Sequence, residues 1–291
     1  MDNYYKVATL YDLIERINME INNQKEYDYN EYNLYKKRLR DFLKDLRAKY
    51  GNIPTIAANF LIKKTNEKNG YKISEDIQGK GKNKEIAESL EDIIRLKTKS
   101  SQQYLISVEY PTNLNPILIV GKPDGLIFEY DKVKIFEVKS FNLDDFYNWP
   151  GSKKDENLIK KVLNRIQTSS DQLSSYRYLL ENTIKLGLIG NTTEIDLRGI
   201  LIFYSEGTKH LYNAEKIIKN NLNIIKTYGN GCHAYNLNLE ERVETTYINN
   251  KYLYYFKIGF SVRYNPKTIE KYLNSLNELI ESSKLVDNRD L

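Results

Sequence analysis

Two short β-rich runs, Leu126-Ile127-Phe128 and Val133-Lys134-Ile135-Phe136, stand either side of the polar turn Asp131-Lys132. Gly121-Lys122-Pro123-Asp124-Gly125 precedes them and Glu137-Val138-Lys139 follows. The runs predict a β-hairpin with Asp124 at the outer end of its first strand. Side chains alternate along a strand, so Glu137 and Lys139 emerge on one face while Val138 points the other way, into apolar packing. A hairpin of this kind folds Asp124, thirteen positions upstream of Glu137 (137 − 124 = 13), back toward the Glu-x-Lys pair.

Two carboxylates and an amine at this spacing have a specific chemical use. A hard cation such as Mg²⁺ takes oxygen ligands and keeps several waters, so Asp124, Glu137 and the backbone carbonyl of Val138 would form an open site that phosphate oxygens complete. A metal held there lowers the pKa of a bound water and neutralises charge that builds during phosphodiester hydrolysis. Lys139 would stand beside that water and counter negative charge. The competing reading is a polar turn and an edge strand guarded by charge.

The flanking sequence favours the chemical reading. Lys84 to Ile94 carries Ile86, Leu90, Ile93 and Ile94 at helical spacing, and its first carboxylate, Glu85, follows Gly79-Lys80-Gly81. Downstream, Gln172 and Tyr176 lie four apart on a predicted helix and so share one face. Leu197 to Tyr204 reads as a buried strand. Helix, hairpin, helix and strand in this order, over about residues 81 to 204, resemble the PD-(D/E)xK nuclease superfamily. Gln172-Leu173-Ser174-Ser175-Tyr176 is similar to the QxxxY motif of its RecB-like branch, to which CRISPR-adaptation nucleases also belong. The resemblance implies an α/β restriction-endonuclease-like core, a central mixed β-sheet flanked by helices. It implies a metal-dependent deoxyribonuclease using Mg²⁺ or Mn²⁺, with single-stranded or end-containing DNA favoured. Glu85, Asp124, Glu137 and Val138 would hold metal. Asp124, Glu137 and Lys139 would act in catalysis, and Gln172 and Tyr176 would orient substrate. Whether one or two ions act stays open.

The chain departs from that pattern in two places. Many RecB-like enzymes carry a histidine in the first helix, whereas the two histidines here are His210 and His233, far downstream. The CRISPR-adaptation members hold an iron–sulphur cluster on four cysteines, and this chain has one, Cys232, so no such cluster is expected within one protomer. A single cysteine fits a reducing, cytoplasmic setting. No signal-peptide pattern opens the sequence and no apolar run approaches membrane-spanning length.

Charge and aromatic content bear on the partner. Lys and Arg number 44 against 39 Asp and Glu, a net charge of +5, which permits nucleic-acid binding only where cations cluster. They do so at Lys36-Lys37-Arg38, Lys80 to Lys84, Lys153-Lys154 and Lys160-Lys161, of which Lys80 to Lys84 adjoins the expected site. The 25 tyrosines supply rings that suit splayed bases, although most are expected to pack in the core.

The rest of the chain is less legible. Residues 1–70 read as an N-terminal helical extension to a nuclease domain at 71–291, with helices at Val7–Asn22 and Tyr32–Lys49 and a third starting in Thr55–Lys64. These helices are expected to cap the nuclease or to bind a partner; no Walker-type GxxxxGK[ST] is present, so any helicase would be a separate chain. Asn142 to Ser152, with the sole tryptophan Trp149, reads as a long loop. Further on come a helix at Asn213–Lys226, a turn at Gly229-Asn230-Gly231, a strand at Tyr252–Arg263 and a final helix from Pro266 to about Ser283. Two alternatives remain: a nuclease-fold binding or scaffold subunit without activity, serving repair, replication or defence, and a ribonuclease using the same residues.

Overall fold

A computed structural model describes residues 8–23, 30–59, 61–62, 82–111, 115–148 and 153–281. Strands β1 (Ala8–Thr9), β2 (Pro54–Ala57), β3 (Leu105–Glu109) and β4 (Ile117–Gly121) form a four-stranded sheet in the order β1-β2-β4-β3. Strands β5 (Gly125–Phe128), β6 (Lys132–Asn142), β7 (Glu194–Ser205), β8 (Ala234–Ile248) and β9 (Lys251–Val262) form a five-stranded sheet ordered β5-β6-β7-β9-β8. Both sheets are mixed: β2 runs parallel to β4 and β6 parallel to β7, and the other pairings are antiparallel. A bridge between Ser101 and Leu126 joins the approach to β3 with the second sheet.

The helices are α1 (Leu10–Asn22), α2 (Asn30–Tyr50), α3 (Lys82–Thr98), α4 (Leu143–Asn148), α5 (Lys154–Lys185), α6 (Thr208–Asn220), α7 (Leu222–Gly231) and α8 (Pro266–Glu281). Together they make an α/β protein with helices against mixed sheets. No helix among the described residues is long and apolar enough to cross a membrane.

Strand β6 sets the geometry that follows. Val133, Ile135 and Phe141 pack in one cluster with Leu158, Ile166 and Tyr176 of α5, whereas Val138 packs in another with Ile86, Leu90 and Ile94 of α3. The period of two therefore puts odd-numbered residues of β6, Glu137 and Lys139 among them, on the α5 face. The crossover that joins parallel β6 to β7 is α5, a 32-residue helix whose buried stripe includes Gln172 and Tyr176.

Several sequence expectations need correction. The expected N-terminal extension is not helical throughout: β1 and β2 belong to the sheet of β3 and β4, and Thr55, Ile56 and Ala57 align with Leu118, Ile119 and Val120. Leu10, Ile17, Leu39 and Leu43 of α1 and α2 share a core with Ile106, Leu118 and Val120, and the Tyr32 hydroxyl donates to the Leu126 carbonyl at 2.9 Å. The third helix expected from Thr55 starts later: a strand runs through Ala57, and the described residues 58, 59, 61 and 62 are helical. Thr55 and Ile56 are buried, so exchange of backbone hydrogen bonds with β4 outweighs any helical preference. The loop expected after Asn142 opens as α4, where the Asn142 side chain accepts from the N–H groups of Asp144 (2.9 Å) and Asp145 (3.3 Å). The single helix expected over Asn213–Lys226 is two helices, and Gly229-Asn230-Gly231 closes the second. Strand β8, edge of the second sheet, had no counterpart in the sequence reading. Trp149, Lys80 and Gly81 lie outside the described residues.

Candidate active site

The hairpin turns Asp124 back onto β6. Its Oδ2 accepts the backbone N–H of Val138 at 2.7 Å, which fixes the carboxylate beside Glu137 and Lys139. Lys139 donates to Glu137 Oε1. Glu137 is 2% exposed, and its other oxygen, Oε2, is buried without a hydrogen-bond partner. Asp124, Glu137 and Lys139 are thus brought together on the side of β6 that α5 covers.

Helix α3 supplies two groups that sequence reasoning missed. Glu91 feels Asp124, Lys139 and Arg95 electrostatically, and the Arg95 Nη1 donates to the Asp124 carbonyl oxygen at 3.3 Å while its guanidinium pairs with Asp92. Arg95 is 6% exposed, so its charge acts in a low-dielectric setting. Glu85 lies elsewhere: it is exposed and accepts from Asn249 Nδ2 of the β8–β9 turn at 3.2 Å. Six residues apart on a helix, Glu85 and Glu91 flank the apolar stripe of Ile86, Leu90 and Ile94 on opposite sides, and the Glu91 flank faces the cluster. Spacing alone does not tell one flank from the other.

The carboxyl groups crowd one another. Burial, then the nearby Asp124, pushes Glu137 up to about 8 against the pull of Lys139. Burial, then Asp124, pushes Glu91 up to about 7, with Lys139 and Arg95 acting the other way. Asp124 is also raised, burial outweighing Lys139, the Val138 N–H and Arg95. Three carboxyl groups around one lysine and one arginine shared with Asp92 leave an excess of negative charge in a dry place, which either protons or a cation must balance.

Gln172 and Tyr176 close the cluster from α5. Tyr176 is 1% exposed and its hydroxyl donates to Asn59 Oδ1 at 3.3 Å. Burial, Glu137 and Asp124 together raise its pKa well above the usual phenol range, so it stays a neutral donor. Its ring nests over Gly121, where an added Cβ would fall 2.8 and 2.9 Å from two ring carbons and 2.6 Å from Leu179 Cδ1. The glycine is what admits the ring. Gln172 is 6% exposed and its Oε1 is buried without a partner.

Among the described residues, no three His, Cys, Asp or Glu side chains stand in ready metal-ligating geometry. Asp124 Oδ2 is turned to Val138 and Glu137 Oε1 to Lys139, which accounts for this. The donor set nevertheless fits a hard divalent cation: oxygen ligands only, excess negative charge, and a buried Glu137 oxygen without a partner. His210 and Cys232 lie apart from the cluster, bonded to Asp144 and Gln167 respectively.

No family model and no curated protein matches this chain. A solved structure titled "Crystal structure of SSO0001" aligns with 66% of this chain and 84% of its own at 13% identity, with a TM-score of 0.28. At that score the overlay carries no argument about fold or function.

Proposed function

We propose that the chain is a metal-dependent nuclease with a restriction-endonuclease-like core, hydrolysing phosphodiester bonds of DNA. The observation that carries this reading is the meeting of Asp124, Glu137 and Lys139 on one side of β6, with Glu137 Oε2 buried and unpartnered. A purely structural hairpin has no use for crowded carboxyl groups in the protein interior, where their mutual repulsion costs stability. The order of α3, the β5–β6 hairpin, α5 and parallel β7 also supports the core assignment.

Asp124, Glu137, the Val138 carbonyl and Glu91 would hold Mg²⁺ or Mn²⁺. When bound, the ion supplies an acidified water and neutralises charge on the phosphate oxygens. Lys139, which here donates to Glu137, would offer its ammonium to the phosphate undergoing attack. Arg95 holds the Asp124 backbone and keeps the carboxylate pointed at β6. Tyr176 and the Gln172 amide present neutral hydrogen-bonding groups from α5, suited to fixing a phosphate or sugar without adding charge.

The test is incubation of purified protein with end-labelled single-stranded, duplex, branched and RNA oligonucleotides in Mg²⁺, Mn²⁺ or chelator. Cleavage that needs a divalent ion and is lost in Lys139→Ala supports the reading. Chelator-resistant cutting, or cutting by a folded Lys139→Ala at the wild-type rate, defeats it.

A further inference from the structure

Beyond the cluster, β6 continues to Phe141 and the chain enters α4, whose Phe146 and Tyr147 lie next to it. Ring centroids are 5.5 Å apart for Phe141 and Phe146 and 5.2 Å for Phe146 and Tyr147. Against this row α5 presents three cations. Arg165 lies 5.3 Å from the Phe141 ring centroid, Lys161 5.6 and 5.4 Å from those of Phe141 and Phe146, and Lys154 5.9 Å from that of Tyr147. Positions 154, 161 and 165 are i, i+7 and i+11, a single stripe about 16 Å long on an α-helix. Cations and rings therefore interleave in register.

The row begins where the candidate site ends. Glu137, Lys139 and Phe141 occupy alternate positions of β6 on the α5 face, which sets the row two positions beyond Lys139. It lies at the carboxyl ends of parallel β6 and β7, the edge at which open α/β sheets hold ligands. Residues 153–165 hold five cations (Lys153, Lys154, Lys160, Lys161, Arg165) against two acids, Asp155 and Glu156, a net +3 within thirteen residues of a chain whose total is +5. The nearby acids are engaged: Asp144 accepts from Ser205, His210 and the Glu206 N–H, and Glu206 pairs with Lys251. Asp145 is exposed and lies near Asp144, Glu206 and Tyr204.

We propose that this cation–aromatic row is a tracking surface for single-stranded nucleic acid, guiding the strand into the Asp124–Glu137–Lys139 cluster. It rests on the nuclease reading for the class of ligand and adds the place where the strand is held. Phosphates need the cations, and an unpaired base can stack on the half-buried Phe146, which buried Phe141 and the Tyr147–His210 stack hold in place and which a duplex, with its bases already stacked, cannot reach. A mere clamp between α4 and α5 would need one such contact, not a register of four.

The experiment is fluorescence anisotropy in EDTA with a labelled oligo-dT strand and a duplex of equal length, across a salt series. Lys161→Gln is expected to weaken single-strand binding about 3- to 10-fold and to flatten the log–log salt slope by about 0.7. Phe146→Leu keeps apolar bulk, and is expected to weaken binding about 5- to 10-fold without changing that slope. Lys185→Gln, exposed at the other end of α5, is the control and should bind as wild type. Thermal melts confirm that each variant folds. Wild-type affinity and slope in both row variants, an equal loss in the Lys185 control, or duplex binding at least as tight as single-strand binding would each overturn the proposal. Because binding is read in chelator, a protein that binds through the row but never cuts defeats the nuclease reading alone. One that cuts while row variants bind normally defeats the row alone.

Discussion

Glu137→Gln should make the metal-free protein more stable at neutral pH while destroying its response to divalent ions. Glu137 titrates near 4.5 when unfolded and about 8 in the folded chain, with burial first and Asp124 second as causes. A raised folded-state value means the folded protein keeps a proton that the unfolded chain has already lost. The contribution is therefore intact below pH 4.5 and is lost progressively as pH rises toward 8. At pH 7 the deficit spans about 2.5 pH units, or about 3 kcal/mol at about 1.4 kcal/mol per unit. Glutamine occupies the same volume without the charge, but it weakens the contact with Lys139, which leaves that ammonium to Asp124 and returns part of the gain. About 2 kcal/mol of net stabilisation at pH 7 is expected, and little at pH 5. Glu91, Asp124, Lys139 and Tyr176 face this group and remain in both proteins, so the difference reads the charge of Glu137 together with its contact to Lys139. Urea denaturation of both proteins in EDTA at pH 5, 7 and 8 measures it. Adding Mn²⁺ at 100 times its dissociation constant should raise wild-type stability by about 2.7 kcal/mol and the variant far less. A variant no more stable than wild type at pH 8 in EDTA, or one that gains equally from Mn²⁺, would show that the carboxylate crowding has been misjudged.

Other perturbations separate the parts of the site. Glu91→Gln should lower divalent-dependent cleavage at least tenfold while Glu85→Gln leaves it within twofold, measured on the same oligonucleotides. Gly121→Ala drives a methyl into the Tyr176 ring and Leu179, and about 1–2 kcal/mol of destabilisation is expected in thermal or urea unfolding, with cleavage impaired because the phenol shifts. Away from the site, burial works to raise Glu244, but hydrogen bonds from Lys257, Lys97 and Tyr255 hold it down to about 2. That stabilisation is present above about pH 4.5 and is lost as pH falls toward 2, so acid titration by circular dichroism should show wild type outlasting Glu244→Gln above that window and converging with it inside it.

What the sequence made legible was local. The hairpin followed from two apolar runs and a polar turn, and the pairing of Gly125 with Phe136 carries Asp124 to the Glu-x-Lys strand as alternation requires. The stacking of Gln172 and Tyr176 on one buried helical face was equally readable. What stayed hidden depended on distant partners. Pro54-Thr55-Ile56-Ala57 is a strand because β4 lies beside it, and four residues opening on proline carry no period of their own. Strand β8 mixes Asn238, Glu240, Glu241 and Glu244 with apolar residues and breaks register twice, so its alternation is interrupted at the points where a pattern would be counted. Glu91 was missed because the apolar stripe of α3 has two acidic flanks, and only the packing of that helix against β6 and β7 selects one.

The parallel seam between β2 and β4 also governs how the protein can be made. Thr55 meets Leu118, a separation of 63 positions (118 − 55 = 63), so during ribosomal synthesis the first third of the chain emerges with its sheet partner still untranslated. Until β4 arrives, Ile56 lacks its strand partner and the core that α1 and α2 form with each other lacks Leu118 and Val120, so completion of this lobe waits on long-range closure rather than local propensity. Expression of a fragment starting near residue 71 would therefore strip β4 of its neighbour and bare Leu118 and Val120. Aggregated rather than trimmed protein is the outcome to plan for.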